Sequence, residues 1–560
     1  MSTLVPATAQ ACGGFFCNRA QPVNQAAESI IFADNGDGTT TAVIQIQYQG
    51  PAQNFSWLLP ISSVPKSDAD IGVASNLALQ RLQTATNPNY VLTTRVEGEC
   101  READSGGSGC GAAQASGRSF NAAAPQVAGE PSNTGVVVEA TGVVGAFQWS
   151  VISLDPSLSD PASAAAQWLK DNGYDVPSSA PGLLGPYLKQ GLYLLALRLT
   201  KGADSGSIRP IVLTYAGAPS IPVKLTAVAA NDDMGVLTWV LGKSRAVPTN
   251  YLSLELNEAR INWFSAATNY NFVVSQAAND AGGQGFVTEF SGATGSLATV
   301  WTTSDESKWI ALNEVANFVS DESLVQQAQG SFGAWDGFWD ATRAAAKLPS
   351  GVTFDAFKAC PSCYSIQLSP AEYIPQLEKL VIEPVRRVQQ LIDAHPQITR
   401  LYTTLSADEM TLDPLFGFNA ALPAVSNQHQ AERVVACNPA VDVSDAPWHV
   451  DLPQGGSVWG SGSVWPSELA TLPPNRVITR TAESGEGKVI EDNSAAIQSG
   501  LTRLNSGKEA SPDAGGGCAT GRARSRGAWL SVAALAAALL VRRRLVRRRD
   551  SGSPRPRSHT

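Results

Sequence analysis

Cys360 and Cys363 stand three apart in "CPSC", a spacing open to three kinds of chemistry. Such a pair can cycle as a redox dithiol when it opens a helix after a strand. It can be half of a tetrahedral zinc site, which Cys437 and His449 would have to complete. In an oxidising compartment it closes as a disulfide, the default there. The chain has no second C-x-x-C, so a structural disulfide is the expected state.

The chain has eight cysteines. Local spacing pairs Cys12 with Cys17, Cys100 with Cys110, and Cys360 with Cys363, leaving Cys437 over and Cys518 for a separate role. If Cys12 were acylated in the weak lipobox "AQAC", Cys17 would be free to pair with Cys437.

Histidine is scarce: His395, His429, His449 and His559. His395 closes a helical pattern, where a cation suits the helix dipole, and His429 and His559 sit in polar stretches. His449, in "APWHVDLP" near Asp451, is the one histidine with a site-like setting. Asp408, Glu409 and Asp413 cluster, but a capped helix start favours acids anyway. There is no G-x-S-x-G elbow, "SGEGKV" is not a P-loop, and "NDAGGQGF" lacks G-x-G-x-x-G. Carboxylates far apart in sequence remain open as a glycosidase pair. No catalytic residue, metal ligand or cofactor is assigned.

The far end of the chain is more explicit. A polar spacer, "LNSGKEASPDAGG", leads to Gly517 and Cys518, and Ala528–Val541 is apolar apart from Ser531. Arg542, Arg543, Arg544, Arg547, Arg548 and Arg549 follow and outnumber Arg522, Arg524 and Arg526. The larger cluster should stay on the cytoplasmic side as a membrane stop, leaving residues before 518 outside. Fourteen residues are short for a span of about 20. The order of cysteine, short apolar run and arginines resembles the myxobacterial-type C-terminal sorting signal, MYXO-CTERM, over about 515–549. That resemblance implies processing near Gly517 and Cys518 by a membrane-embedded protease, with the tail at 550–560 a departure from the pattern. A plain tail anchor is the alternative. At the other end, Ala9-Gln10-Ala11 reads as a cleavage site without the basic and apolar regions of a signal peptide. Residues 1–11 are therefore read as a signal-peptide remnant, with signal peptidase an expected partner and the true start upstream of Met1.

Composition agrees with export. Charged residues make up 16% of the chain and hydrophobic ones 43%, enough for real cores. The net charge is −9, and residues 518–560 contribute +10, so the rest carries −19. An acidic body argues against nucleic acid as a partner.

The elements that would position any site come next. "ESIIFADNGDGTTTAVIQIQYQG" predicts a hairpin turning at "DNGDG". "FSWLLPISSVP", "TGVVVEATGVVGAFQWSVISLD", "QGLYLLALRLT", "RPIVLTYAG" and "GVLTWVLG" predict strands. "DPASAAAQWLKDNG" predicts a helix capped by Asp160, with Pro161 in its first turn and Gly173 ending it. Helical spacing through Leu252, Leu256, Ala259 and Trp263 predicts another. "DESLVQQAQGSFGAWDGFWDATRAAAK" predicts an amphipathic helix, and Ile374–Leu391 one that Pro384 kinks or splits. Ser406 and Glu409 form a capping box. Ser105–Thr134 reads as a surface insertion pinned at Cys100 and Cys110.

The segments "ACGGFFC", "FSWLLPISSVP", "WLKDNGY", "GPYLKQGLYLLALRL", "SIRPIVLTY" and "EMTLDPLF" resemble the bacterial domain of unknown function 2330, from about Cys12 to Asn419. The resemblance implies an exported, often membrane-attached bacterial protein with no established activity. The expected fold is α+β, with a strand-rich first half, a more helical second half and a C-terminal hydrophobic helix. The expected divisions are a body at 12–420, an irregular Pro/Gly-rich extension at 421–500, a disordered spacer at 501–517, a sorting segment at 518–549 and a tail at 550–560. The expected role is structural or binding at the envelope or surface of a Gram-negative bacterium. Its unknown surface ligand would meet Trp448, Trp459, Trp465 or the insertion. A surface-displayed hydrolase and a tail-anchored protein of envelope maintenance are the alternatives.

Overall fold

The computed structural model describes residues 24–508 apart from 50–55, 67–69, 101–134, 175, 201–207, 228–229 and 320. Cys12, Cys17, Cys110, Gly517, Cys518, the apolar run at 528–541 and Arg542–Arg549 lie outside the described residues, as does most of the insertion. Among the described residues no helix is long and apolar enough to cross a membrane.

The fold mixes α and β around a ten-stranded sheet. In spatial order its strands are Lys488–Asp492, Asn475–Arg480, Leu252–Leu256, Gly285–Ala293, Gln397–Leu405, Ala230–Gly242, Asn24–Asp34, Thr39–Gln49, Ile211–Ala216 and Ile71–Val73. The first hairpin forms where turn chemistry predicts it: Asn24–Asp34 pairs antiparallel with Thr39–Gln49, and Gly36 and Gly38 take positive φ in the turn. Its side chains alternate between two cores. Ile30, Phe32, Ala42 and Ile44 face one, and Ile31, Ala33 and Val43 face the other. A strand whose both faces are buried lies inside the sheet, and Ala230–Gly242 duly pairs parallel on its other side.

Further layers lie on both of its faces. A four-stranded sheet of Ser56–Ile61, Tyr193–Leu199, Phe147–Leu154 and Val136–Val144 packs on the first face. The helices Pro161–Asp171 and Ala180–Leu188 cover that smaller sheet from outside. Asp160 caps the first of them through Ser163 N at 3.0 Å. On the second face lie the helices Asn76–Thr86 and Glu383–Asp393, and beyond them a helical cluster between Thr303 and Ile382 with its own core.

Several elements differ from expectation. Leu252–Leu256 is a strand, and Glu258–Arg260 and Trp263–Ser265 are single 3-10 turns. Leu252, Leu254 and Leu256 also fit a period of two. The Asn257 and Asn262 side chains accept from the amides of Ala259 and Phe264, both at 3.1 Å, and so cap the start of each short turn. The stretch from Glu322 breaks into Glu322–Phe332 and Phe338–Ala345, with Gly337 at φ +81° between them. Pro384 does not interrupt its helix: a π turn, Glu378–Ile382, joins Pro370–Leu377 to Glu383–Asp393, and the Leu380 carbonyl that a Pro384 N–H would have met accepts from Arg209 Nη2 at 2.7 Å. Ser406 N donates to Glu409 at 2.7 Å, but only a turn follows.

Residues 421–500, read as irregular and strand-containing, are more regular than that. They hold Gln428–Ala436, Pro447–Asp451 and Ser457–Ser461, which with Asn89–Glu97 form a second four-stranded sheet, and two strands of the main sheet. The helix Ser494–Asn505 runs into the stretch expected to be a spacer. Trp448 and Trp465 are buried in the core beneath this sheet, stacked 6.1 Å apart, and present no face to a ligand.

Candidate functional site

The expected pairing of Cys100 with Cys110 gives way to a disulfide between Cys100 and Cys437, 337 residues apart. It joins the ends of two strands paired in register, Asn89–Glu97 and Gln428–Ala436. Local spacing could not reveal a partner that only the parallel pairing brings near. Cys437 is therefore no zinc ligand, and Cys360 is bonded to Cys363. Among the described residues no group of three or more His, Cys, Asp or Glu side chains could hold a metal ion.

The acidic cluster disperses. Asp413 accepts from Tyr187 Oη at 2.8 Å and pairs with Lys224 Nζ at 3.3 Å, while Glu409 turns to the backbone of Ser406. His449 stacks on Trp459 with ring centres 4.5 Å apart, and its Nε2 is 3.7 Å from Asp451, on a strand pair at the sheet surface. His395 is buried, with Nδ1 2.7 Å from the Leu391 carbonyl and Nε2 2.9 Å from that of Asp34. It ties a helix end to the first hairpin.

The histidine in a chemical setting is His429. It lines a polar cleft of about 530 Å³ between the main sheet and the Gln428–Ala436 sheet. Its Nδ1 donates to Glu258 Oε1 at 2.6 Å, and its Nε2 has no partner among the described residues. Its ring lies on Tyr90, the residue beside it on the parallel neighbour, with centres 4.4 Å apart and planes 11° off. Trp263 meets Tyr90 edge-on at 5.1 Å, so the imidazole is held from one face and one nitrogen.

Glu258 is equally fixed. Its turn follows directly on the Leu252–Leu256 strand, its amide donates to Gln454 Oε1 at 3.1 Å, and its carbonyl accepts from Trp263 Nε1 at 3.0 Å. The carboxylate is buried, and Oε2 has no hydrogen-bond partner among the described residues. A buried carboxylate oxygen left unpaired costs about 1–3 kcal/mol or more, so its presence at a cleft wall asks for a donor from outside the chain.

Glu289, on the Gly285–Ala293 strand, lines the same cleft but is spoken for. Oε1 accepts from Tyr270 Oη at 2.6 Å and Oε2 from Arg400 Nε at 2.5 Å. Burial, and then Glu289, hold the Tyr270 phenol well above its usual range; burial first, then Glu258 and Glu289, do the same for Tyr90. Arg245 donates through Nη1 to the Pro423 carbonyl at 3.0 Å while Nε stays unpartnered, and burial lowers its pKa. Ser253, Thr288, Thr479, Thr481 and Ser426 add hydroxyls. The cleft wall thus holds two acceptors without a partner among the described residues, Glu258 Oε2 and His429 Nε2, one such donor, Arg245 Nε, and several hydroxyls; Glu258 Oε2 and Arg245 Nε are shielded from solvent.

Sequence reading missed both members of the dyad. Glu258 and His429 are 171 residues apart; Glu258 lies in the stretch whose spacing predicts a helix, and His429 in one that reads as polar. The one local signal was the alternation in "QHQAERVVA", which places His429 on the face of Ala431 and Val435.

The model of a family described as an uncharacterized protein conserved in bacteria, DUF2330, matches residues 6–301, a little over half of the chain. The match ends before the segment "EMTLDPLF". No curated protein and no solved structure matches.

Proposed function

The chain belongs to this DUF2330 family of bacterial proteins, and from that premise we propose that it is an exported, envelope-anchored binding protein whose ligand site is the Tyr90–Glu258–His429 cleft. One observation carries the reading: a buried carboxylate and an imidazole, each with one unpartnered acceptor atom, converge on a cleft lined by hydroxyls. Two acceptors and a guanidinium donor suit a small polyhydroxylated ligand such as a saccharide, whose hydroxyls both donate and accept. The disulfide between Cys100 and Cys437 supports export, since such bonds persist in oxidising compartments.

The test is calorimetric titration of a panel of mono- and disaccharides against the wild-type protein and Glu258→Gln. The amide keeps the shape but replaces one open acceptor with a donor, so at least a tenfold loss of affinity is expected for any sugar that binds (about 1.4 kcal/mol). Equal binding by Glu258→Gln removes the cleft from the proposal. Mass spectrometry of both termini, on protein from its native envelope, tests export and anchoring. Ends near Cys12 and Cys518 support sorting and removal of the tail; retention of Arg542–Arg549 points to a plain anchor.

A second reading rests on the same dyad. A histidine whose Nδ1 is held by a carboxylate and whose Nε2 is open has the form of a general base. If that is its work, sugars of the panel are turned over and His429→Ala stops turnover while leaving binding within a few-fold.

A further inference from the structure

A second cavity, of about 370 Å³, lies between the main sheet and the Ser56–Ile61 sheet, and no part of the cleft contributes to it. Its walls are apolar: Ile30, Phe32, Ile44, Leu59, Ile61 and Leu213. Polar side chains line it too, among them Gln190, Asn250 and Asp413, and one of them stands apart. Glu28 sits two residues before Ile30 on the same face of Asn24–Asp34, and is 4% exposed. Its carboxyl has no hydrogen-bond or charged partner among the described residues, and Oε2 is sealed from solvent. A lone carboxyl beside a packed wall would ordinarily be selected against, because it costs stability and gains nothing.

The polar groups at the other end behave in the opposite way. Glu28 and Phe32 are four residues apart, roughly 13 Å along an extended strand. Phe32 rests on Phe416 at 6.1 Å, which brings the loop Leu412–Leu415 to that end. Asp413 there is satisfied by Tyr187 and Lys224, and Asn250 holds the loop by donating to the Asp413 carbonyl at 2.7 Å and accepting from Leu415 N at 2.8 Å. Leu412 and Leu415 themselves are 36% and 42% exposed. The cavity therefore runs from two exposed leucines, along aliphatic walls, to one unpaired carboxyl.

We propose that this cavity is a binding site for an elongated aliphatic amphiphile with a primary amine or hydroxyl at one end, which donates to Glu28 while the chain lies along Ile30 and Phe32 toward Leu412 and Leu415. The donor end supplies the partner that Glu28 lacks, and the chain fills space that the side chains leave empty.

The probes are decylamine, decan-1-ol and decanoic acid, titrated calorimetrically below their aggregation limits into the full-length protein in mildly alkaline buffer. Decylamine should bind at least tenfold more tightly than decanoic acid, whose carboxylate meets that of Glu28, with decan-1-ol between them. Glu28→Gln should lose at least tenfold in decylamine affinity and bring the amine and the alcohol within a few-fold of each other. Ala218→Trp, at an exposed position on the rim, should weaken all three. Binding of none of the probes by the wild type, an unchanged amine preference in Glu28→Gln, or unchanged binding in Ala218→Trp would each overturn the proposal. Since neither variant touches the cleft, sugar binding should survive in both, which separates this result from the fate of the cleft.

Discussion

Glu28 shows how one side chain couples burial, stability and pH. Burial alone lifts its pKa from 4.5 to about 7, with no hydrogen bond or cation to offset it. The folded state therefore holds a proton that the unfolded chain has released. For a carboxyl raised in this way, stability is highest below the unfolded value and falls as pH rises from about 4.5 to above 7. The loss is on the order of 3 kcal/mol. Tyr187 and Tyr215, which also line the cavity, are pushed up out of this window by burial, and Lys224 and Asp413 there pair with each other. Urea denaturation of wild type and Glu28→Gln across this range should show the mutant's advantage growing with pH. A constant difference would mean that Glu28 is neutralised by something else. Glu289 makes the contrast. It is as buried as Glu28, but Arg400 and Tyr270 satisfy both of its oxygens, and removing Arg400 would leave it uncompensated at a cost of about 3–5 kcal/mol.

Among the elements, the parallel pair Asn89–Glu97 and Gln428–Ala436 matters most, because it sets Tyr90 beside His429. Parallel strands so distant in sequence close a very long loop, and two local devices hold them together. The disulfide is one. The other is a close approach at Gly98, where φ is +82° and an added Cβ would stand 2.4 Å from the Cys437 carbonyl oxygen. The double substitution Cys100→Ser with Cys437→Ser should cost about 2–5 kcal/mol in urea denaturation, as for long closed loops. Cys360→Ser with Cys363→Ser closes only a three-residue separation and should cost about 2 kcal/mol or less. Equal losses would show that strand pairing alone holds the distant ends. The same pair marks where the sequence was legible. Periodicity and turn chemistry specified the first hairpin, the Ser56–Ile61 strand and the Asp160-capped helix, because each is decided by neighbours in the chain. The Leu252–Trp263 segment was misread because leucines four apart satisfy both periods, and pairing with a strand on each side of Leu252–Leu256 settled the matter. The Cys437 pairing and the Glu258–His429 dyad depend on contacts across 171 residues or more, which no local pattern encodes.

At the scale of the molecule, the family match stops at Trp301 while the main sheet does not. Gln397–Leu405 lies between Gly285–Ala293 and Ala230–Gly242 and pairs antiparallel with both. Ile398, Leu401 and Leu405 are fully buried, on both faces of the sheet. Without this strand, two matched strands would become unpaired edges in the middle of the sheet, and the cores on both sides would open to water. Unpaired flat edges with apolar faces template aggregation. A chain ending at Trp301 is therefore expected to be insoluble, or to bind ANS without a cooperative melt, although it holds the whole matched region. A chain ending at Lys508 keeps every described strand and should melt like the full protein. If the Trp301 chain instead melts cooperatively near the wild-type temperature, the matched region has a core of its own. The strand Gln397–Leu405 would then be an addition to a finished domain, and His429, which lies beyond it, would belong to that addition and not to what the family shares.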